Sequence, residues 1–473
     1  MFTVSPYHLN KRPLSQTLDW WIIGCYLFLV FFGLLNIYSY VQGSESAQML
    51  DWGNRSGKQF VWIMSSLVVA VVILFVLPPR LYETAAPLLY GITFVLLVAV
   101  IFIGSSVKGS HSWFSLGPVS FQPAEISKIT TSLMLAAYMS RGSYKMRGKS
   151  FWITALLILL PMLTIVAEKE TGSALVYIGF IFMLYREGLS GWLIAILGLV
   201  IMLFILSVTT SVFTSLFVLL ILVTLFDTAQ SEHFRWWLVI AVPVFVGTAF
   251  IPDEYRTYVV VAESVLYCLW SMRMAFRNRR HSFRWATAIV LVCGMVFIFS
   301  ANFIFENVLK GYQRDRIEIL LGMKDDLKGV GYNVHQSKIA IGSGGFTGKG
   351  FCQGMLTAHG FVPEQSTDFI FCTVGEEWGF LGCLTVILVY GLLIFRIVID
   401  SEQSREAFTR IYGYCLAGCL FMHLFINVGM TLGIMPVIGI PLPFMSYGGS
   451  SMWAFTIMLF IFVALVKNER KFF

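Results

Sequence analysis

The stretch PEQSTDFIFCTVGEEWGFLGCLTVILVYGLLIF, residues 363–395, changes within a few positions from a polar loop to a long apolar run. The apolar run covers 369–397 and exceeds the length of about 20 residues that a helix needs to cross a bilayer. Asp368 stands at the boundary, and Glu376 and Glu377 follow inside the run. The stretch therefore predicts a membrane-spanning helix with ionisable groups, which are rare there unless paired or functional.

The rest of the chain has the same character. Of its 473 residues, 57% are hydrophobic and 12% charged, whereas soluble domains carry about 25% charged residues. The polar, basic N-terminus has no cleavable signal pattern, so the first helix is expected to remain as an anchor. The eight cysteines form no CxxC pair and are interpreted as packing residues. We attribute the net charge of +7 to connectors between helices rather than to nucleic-acid binding.

About fourteen segments are candidate transmembrane helices. They lie at 20–41, 59–78, 85–104, 122–140, 151–167, 171–186, 190–208, 210–226, 235–251, 257–272, 285–307, 369–397, 410–433 and 449–467. With a cytoplasmic N-terminus, the basic connectors fall on the cytoplasmic side and both termini lie there. Residues 190–226 could instead form one kinked helix, but losing one helix would reverse every later connector. Parity therefore favours fourteen or twelve helices.

This topology places residues 308–367 outside as one long extracytoplasmic loop. Loops of this length are usually functional or disordered. Its segment IAIGSGGFTGKGF is partly apolar and could enter the bilayer where protein buries it. The alternative is a plain tether.

Two motifs place ionisable residues where chemistry is expected. Asp368 either caps the following helix or belongs to a site that also uses the deeper glutamates. In FQPAEISKI, Glu125 and Lys128 are three residues apart and share a helix face. They are either a structural ion pair or a substrate site in which Lys128 meets a phosphate while Glu125 positions its ammonium group.

Two further motifs concern the backbone. GSGGFTGKG does not have the Walker spacing around Lys349; its glycines permit close approach to a ligand or serve a structural loop. GIMPVIGIPLPFMSYGGSS interrupts an apolar stretch, as irregular backbone does when it lines a cavity, or else is a simple connector. His335 and His359 are isolated, which argues against a zinc site.

Seven motifs, in order along the chain, resemble those of the shape, elongation, division and sporulation (SEDS) family, which includes RodA, FtsW and SpoVE. They are WFSLGPVSFQPAEISK, ETGSALV, GYQRDRI, GYNVHQSKIAIGSGGFTGKG, PEQSTDFIF with GEEWGFLG, NVGM and PVIGIPLPFMSYGGSS. The resemblance covers nearly the whole chain except about 190–280 and is closest in wording to RodA-type members. It implies an all-α polytopic membrane protein whose ten-helix core carries an insertion of an even number of helices at 190–280.

The resemblance also implies a function. Members polymerise lipid II into glycan strands at the outer face of the bacterial cytoplasmic membrane, for cell elongation and shape. They work with a class B penicillin-binding protein and the elongation machinery. By resemblance, Asp368 matches the essential acidic residue, and Glu125 and Lys128 match a functional pair. The other substrate-binding residues that the motifs imply are Trp113, Gln122, Lys349 and Ser446.

Two departures from the family pattern bear on substrate binding. Ser112 precedes Trp113 where the family commonly has an arginine, and Lys108 is a substitute cation. Glu168, Lys169 and Glu170 stand where the family commonly reads Gln-Pro-Asp.

In the implied reaction, the 4-hydroxyl of one lipid-linked disaccharide attacks the anomeric carbon of the growing chain, and undecaprenyl pyrophosphate leaves. Inversion in a single displacement needs one general base, for which Asp368 is our choice; it could instead hold a divalent cation such as Mg²⁺. No organic cofactor is expected. The alternatives are a lipid II flippase, because broken helices also mark transport paths, and a non-catalytic scaffold.

Overall fold

The structure is a computed structural model that describes residues 17–44, 53–107, 110–116, 119–142, 144–229, 245–248, 250–277, 283–308, 318, 331–358 and 360–471. In these residues the protein is almost entirely helical. The helices are α1 (Trp20–Ser44), α2 (Arg55–Phe75), α3 (Arg80–Ile103), α4 (Pro123–Met139), α5 (Lys149–Ala167), α6 (Thr171–Val176), α7 (Phe180–Arg186), α8 (Gly191–Thr209), α9 (Val212–Ala229), α10 (Asp253–Arg277), α11 (Phe283–Phe303), α12 (Tyr332–Ser343), α13 (Met355–Ala358), α14 (Ile370–Gln403), α15 (Ala407–Thr431) and α16 (Gly449–Lys471). A 3₁₀ turn joins α6 to α7, and a π turn continues α11.

The helices agree with the hydropathy pattern. Ten helices in the described residues are long and apolar enough to cross a membrane, and two apolar segments, 171–186 and 212–227, are shorter. A helix occupies every predicted segment except 235–251, most of which lies outside the described residues. Fourteen crossings therefore stay a prediction.

A small antiparallel sheet corrects the all-α expectation. Strands β1 (Ser105–Val107), β2 (Ser110–Leu116) and β3 (Val119–Phe121) pair in sequence order between α3 and α4. In register, Ser105 lies opposite Trp113, and Phe114 opposite Phe121. Serines alternate here with valine and aromatic residues, a spacing that suits strands but is too short and polar to register in a search for apolar helices.

The chain divides into two compact units, one of residues 1–189 with 327–473 and one of residues 190–326. The second unit packs α8, α9, α10 and α11 together around a leucine-rich core. It begins where the predicted insertion begins but extends past residue 280. The insertion itself stays a prediction.

In the first unit, α4 packs against α3 and α15, and α14 packs against α1, α12 and α15. Buried side chains of α1, α4, α14, α15 and α16 form its large apolar core. The predicted loop 308–367 contributes α12 and α13, so its described part is a structured element that packs on α14 and α15 rather than a plain tether; residues 309–330, apart from 318, lie outside the described range.

Helix α14 is broken. It has 34 residues, or about 51 Å at 1.5 Å per residue, against a hydrocarbon core of about 30 Å. Gly379 has φ +63° and ψ −158° and separates a short section, 370–378, from a long one, 380–403. The long section can span a bilayer alone, and Glu376 and Glu377 belong to the short section.

Candidate active site

Asp368 lies half-buried in the turn before α14. Its backbone N–H donates to the Glu364 carbonyl at 3.1 Å. The N-cap residue of α14 is Phe369, which has no side-chain cap, and capping by Asp368 stays a prediction. Its Oδ2 lies 3.1 Å from the place that a Cβ on Gly439 would occupy. The carboxylate therefore faces the backbone of a distant segment.

That segment, residues 434–446, is named here the proline segment. Its residues 436–442 form neither helix nor strand, as expected of backbone that lines a site. Gly439 has φ +73°, a conformation that favours glycine, and the missing side chain leaves room for the Asp368 carboxylate. Glycine is thus needed at 439 for both reasons.

Two side chains of α15, one helical turn apart, hold the proline segment. His423 Nδ1 lies 3.1 Å from the Pro441 carbonyl oxygen. Asn427 Nδ2 donates to the Ile440 carbonyl at 2.7 Å and to the Asp368 carbonyl at 2.8 Å. Asn427 therefore joins the Asp368 turn to the proline segment.

Ser446 lies at the end of the proline segment and is buried. Its hydroxyl accepts a hydrogen bond from the Leu442 N–H at 2.8 Å, and its own N–H donates to the Leu442 carbonyl at 3.0 Å. Ser446 thus closes the segment's last turn. Substrate binding by Ser446 stays a prediction.

The Glu125–Lys128 pair forms as the helical spacing predicts. Lys128 Nζ donates to Glu125 Oε1 at 2.9 Å, and both side chains are 2% exposed. The ammonium also lies 2.9 Å from His423 Nε2 and 4.9 Å from the centre of the Phe455 ring. Burial with three partners agrees with a structural pair, and contact of Lys128 with a phosphate stays a prediction.

The two departures from the family pattern meet in space. The Glu170 carboxylate hydrogen-bonds the side chains of Ser112, in β2, and Gln122, just before α4. Burial raises the pKa of Glu170, and these two hydrogen bonds oppose the rise. Trp113 is half-buried beside Ser112 in β2, and Lys108 lies outside the described residues.

The chain after Glu170 leads directly to the proline segment. A Cβ on Gly172 would lie 2.9 Å from Ile440 Cγ1 and 3.1 Å from the Ile438 carbonyl oxygen. Gly172 therefore allows close packing of α6 against the residues on either side of Gly439. Helix α6, which follows Glu170, and the Asp368 carboxylate thus border the same segment.

The glycine loop, residues 344–350, forms backbone hydrogen bonds with α14 on both sides of the break at Gly379. The N–H groups of Phe380 and Leu381 donate to the carbonyls of Gly345 and Phe346, and those of Lys349 and Gly350 donate to the carbonyls of Glu376 and Glu377. These are backbone groups that a broken helix leaves without intrahelical partners. The loop thus has a structural role, and close approach of its backbone to a ligand stays a prediction.

Lys349 also links the glycine loop to α14 through its side chain. Its Nζ donates to Glu376 Oε1 at 2.6 Å. Glu376 also accepts from the N–H groups of Leu356 and Thr357, in α13, while Glu377 accepts from the Ser39 hydroxyl. These glutamates are therefore used in packing, and substrate binding by Lys349 stays a prediction.

Arg55, which starts α2, adds a cation that the sequence motifs do not include. Its Nη1 donates to Ser366 Oγ at 2.6 Å, two residues before Asp368. The guanidinium carbon lies 5.6 Å from the Tyr40 ring centre and 5.9 Å from that of Tyr447. The exposed Arg55 side chain thus brings positive charge beside the Asp368 turn.

A preformed metal centre is not visible in the described part of the chain, where no three His, Cys, Asp or Glu side chains are grouped to hold an ion. Mg²⁺ is commonly bound through one or two carboxylates together with substrate phosphates. Asp368 offers a single carboxylate and could therefore hold Mg²⁺ only together with phosphates of a substrate.

The sequence matches a known protein family along nearly its whole length. The profile of the cell cycle protein family FtsW/RodA/SpoVE matches residues 19–238 and 223–471. The chain belongs to this family. It is accordingly a multi-pass membrane protein, with the helices described above.

Relatives in the FtsW/RodA/SpoVE family match almost end to end. The peptidoglycan glycosyltransferase MrdB of Escherichia coli K12 is 32% identical over 427 residues, 90% of this chain and 88% of the relative. The peptidoglycan glycosyltransferase RodA of Treponema pallidum is 30% identical over 455 residues, 96% of this chain and 98% of the relative.

Solved structures share the fold. A chain from a peptidoglycan synthase complex that coordinates polymerisation and crosslinking matches with a TM-score of 0.62 and 24% identity, over 96% of this chain and 98% of that chain. The crystal structure of RodA from Thermus thermophilus matches with a TM-score of 0.55 and 21% identity, over 97% and 99%. The resemblance inferred from the motifs is confirmed.

His423 and Arg55 are site residues that sequence reasoning missed, and Glu170 was noted only as a departure from the family pattern. For His423 a signal existed, because it precedes Asn427 of the NVGM motif by four residues and therefore shares its helix face. Arg55 carries no such signal, and neither its contacts nor those of Glu170 could be predicted, since they join parts of the chain too far apart for periodicity to report.

Proposed function

We propose that this protein is a peptidoglycan glycosyltransferase that polymerises lipid II into glycan strands at the outer face of the cytoplasmic membrane, for cell elongation and shape. The observation that carries the proposal is the whole-length match to relatives named peptidoglycan glycosyltransferase at 30–32% identity. The arrangement of Asp368 against the proline segment supplies a site for the reaction. A flippase is not favoured, because these relatives are named peptidoglycan glycosyltransferases.

Asp368 acts as the general base. The acceptor 4-hydroxyl gives its proton to the Asp368 carboxylate while its oxygen attacks the anomeric carbon, and the bond to the pyrophosphate oxygen breaks. A positioned base typically contributes 10²- to 10⁴-fold to such a step. Support comes from the half-buried carboxylate, whose turn is fixed through Asn427.

The departing pyrophosphate needs positive charge. Arg55 suits this task better than Lys128, because its side chain is exposed and lies beside the Asp368 turn, whereas Lys128 is buried among its own partners. A planar guanidinium also matches phosphate oxygens in two-point contacts. If Asp368 held a divalent cation such as Mg²⁺ instead of acting as the base, that cation would offset the remaining charge.

Topology and partners complete the proposal. Both termini lie in the cytoplasm, and about fourteen helices cross the inner membrane, four of them within an insertion at about 190–280. A class B penicillin-binding protein and the elongation machinery are the partners. The likeness of the fold to a chain of a peptidoglycan synthase complex supports a crosslinking partner.

Asp368→Asn tests the proposal. In detergent, with purified lipid II, partner and Mg²⁺, this variant should lose polymer formation by about 10²- to 10⁴-fold while remaining folded. Glu364→Gln makes the same chemical change on an exposed residue of the same turn and should keep full activity. Polymerisation by Asp368→Asn at the wild-type rate would remove Asp368 as the base.

The same assay separates an enzyme from a transporter. A flippase needs two compartments, which detergent abolishes, so polymer made by the solubilised wild type supports the enzyme. Wild-type protein that binds lipid II but yields no polymer, with or without its partner, would contradict the proposed function.

A further inference from the structure

His423 lies fully buried in the middle of α15. Its Nδ1 faces the Pro441 carbonyl oxygen at 3.1 Å, and its Nε2 faces Lys128 Nζ at 2.9 Å. A carbonyl oxygen only accepts, so Nδ1 carries a hydrogen, and the lone pair of Nε2 accepts from the ammonium. This is the neutral imidazole, with one defined tautomer.

The contacts form a continuous chain of hydrogen bonds. Lys128 donates to Glu125 at 2.9 Å on one side and to His423 on the other, and His423 donates to Pro441. If Lys128 left this arrangement to reach a phosphate, Glu125 would remain as a buried charge without its cation, which is strongly unfavourable. The influence of the pair on the reaction is therefore expected to pass through protein contacts.

The far end of this chain lies next to Asp368. Pro441 follows Ile440, whose carbonyl is held by Asn427, and Gly439, against which the Asp368 carboxylate lies. One face of α15 thus fixes two consecutive carbonyls of the proline segment. Misplacing a reacting group by about 1 Å can cost about 10²-fold in rate, so this anchoring matters for the chemical step.

We propose that His423 is a positioning residue for glycosyl transfer, which transmits the placement of the buried Glu125–Lys128 pair to the backbone facing Asp368. The inference rests on the proposed function and deepens it, because it assigns the pair an indirect role. His423 itself does not contact substrate.

The test measures kcat and KM for lipid II polymerisation separately, with the full chain and its partner in detergent. His423→Phe keeps the ring volume but removes both hydrogen bonds, so kcat should fall about 30- to 100-fold with KM within about 2-fold. His423→Gln can still accept from Lys128 and donate to Pro441 and should recover kcat to within about 5-fold of wild type. Cys415→Ala, also fully buried in α15, controls for loosened packing and should leave kcat unchanged.

Three results would overturn the inference while leaving the proposed function standing, provided that the wild type polymerises lipid II. One is a normal kcat for His423→Phe despite a lowered Tm. Another is an effect of His423→Phe on KM alone. The third is additive losses for Lys128→Met and His423→Phe, since members of one chain must couple. If His423→Phe does not fold, Gln and the shorter Asn are compared instead, and equal kcat values overturn the inference.

Discussion

Two lysine–glutamate pairs, built from the same chemistry, occupy different surroundings. Lys128 and Glu125 are 2.9 Å apart with both side chains 2% exposed. Lys349 and Glu376 are 2.6 Å apart, but the lysine is 29% exposed. The first pair continues through His423 to the backbone beside Asp368, whereas the second closes the glycine loop over the break in α14. Pairs of the same residue types therefore have different roles, because the next contact of each pair decides what it does.

The largest expected difference between the pairs is in activity. Lys128→Met leaves Glu125 buried without its cation and should lower polymerisation about 100-fold. Lys349→Met leaves Glu376 its hydrogen bonds from the N–H groups of Leu356 and Thr357 and should retain activity within about 3-fold. Initial rates at saturating and limiting lipid II measure both. A fall in kcat supports positioning by Lys128, while a rise in KM alone supports direct substrate binding; equal losses for both lysines would erase the contrast.

The glycine loop allows a graded test of its close contacts. A Cβ on Gly348 would lie 2.1 Å from the Glu377 carbonyl oxygen, and φ there is +83°, so Gly348→Ala should destabilise the protein by about 3 kcal/mol. Gly345→Ala meets only the backbone strain of φ +60° and should cost about 1 kcal/mol. Gly342→Ala has open space in α12 and serves as the control. Thermal unfolding in detergent ranks the three variants by loss of stability. A Gly348→Ala variant as stable as the wild type would show that the close contact of the glycine loop with α14 is not needed for stability.

A smaller effect concerns Glu168, in the connection between α5 and α6. Burial, and then the charge of Glu170, raise the pKa of Glu168 from 4.5 to about 8. The folded state thus holds a proton that the unfolded state has lost, and stability declines as pH rises from 4.5 to about 8. Glu168→Gln, which mimics the protonated form, should gain about 4 kcal/mol at pH 7.5 and nothing at pH 4. Identical pH profiles of Tm for variant and wild type would contradict this assignment.

Much of the fold follows from hydropathy alone. Runs of about 20 apolar residues allow few structures in a bilayer, and each such run that the structure describes is a helix. The break in α14 escapes this reasoning, because Gly379 interrupts the backbone without interrupting the apolar run. The sheet of residues 105–121 escapes it as well, because three short strands leave only a brief alternation.

Sequence reasoning predicted which residues belong to the site better than it predicted the contacts between them. Asp368, Glu125 and Lys128 stand out because charge in apolar surroundings is costly. Spacing on one helix reports a neighbour three or four residues away, as for Glu125 and Lys128, but not the approach of His423 from α15 or of Glu170 to Ser112. These contacts depend on how helices pack, which a single sequence does not encode in any short pattern.

The hydrogen bonds between the glycine loop and the two sides of Gly379 also restrict the length of this loop. Glycine-rich loops usually accept insertions and deletions, because their backbone faces solvent. Here the backbone of each end of the loop is paired with α14. Gly345 and Phe346 accept hydrogen bonds from residues after the break, and Lys349 and Gly350 donate to residues before it. One residue added or deleted between 346 and 349 would prevent the two ends of the loop from forming their hydrogen bonds with α14 at the same time. This glycine loop should therefore have one permitted length.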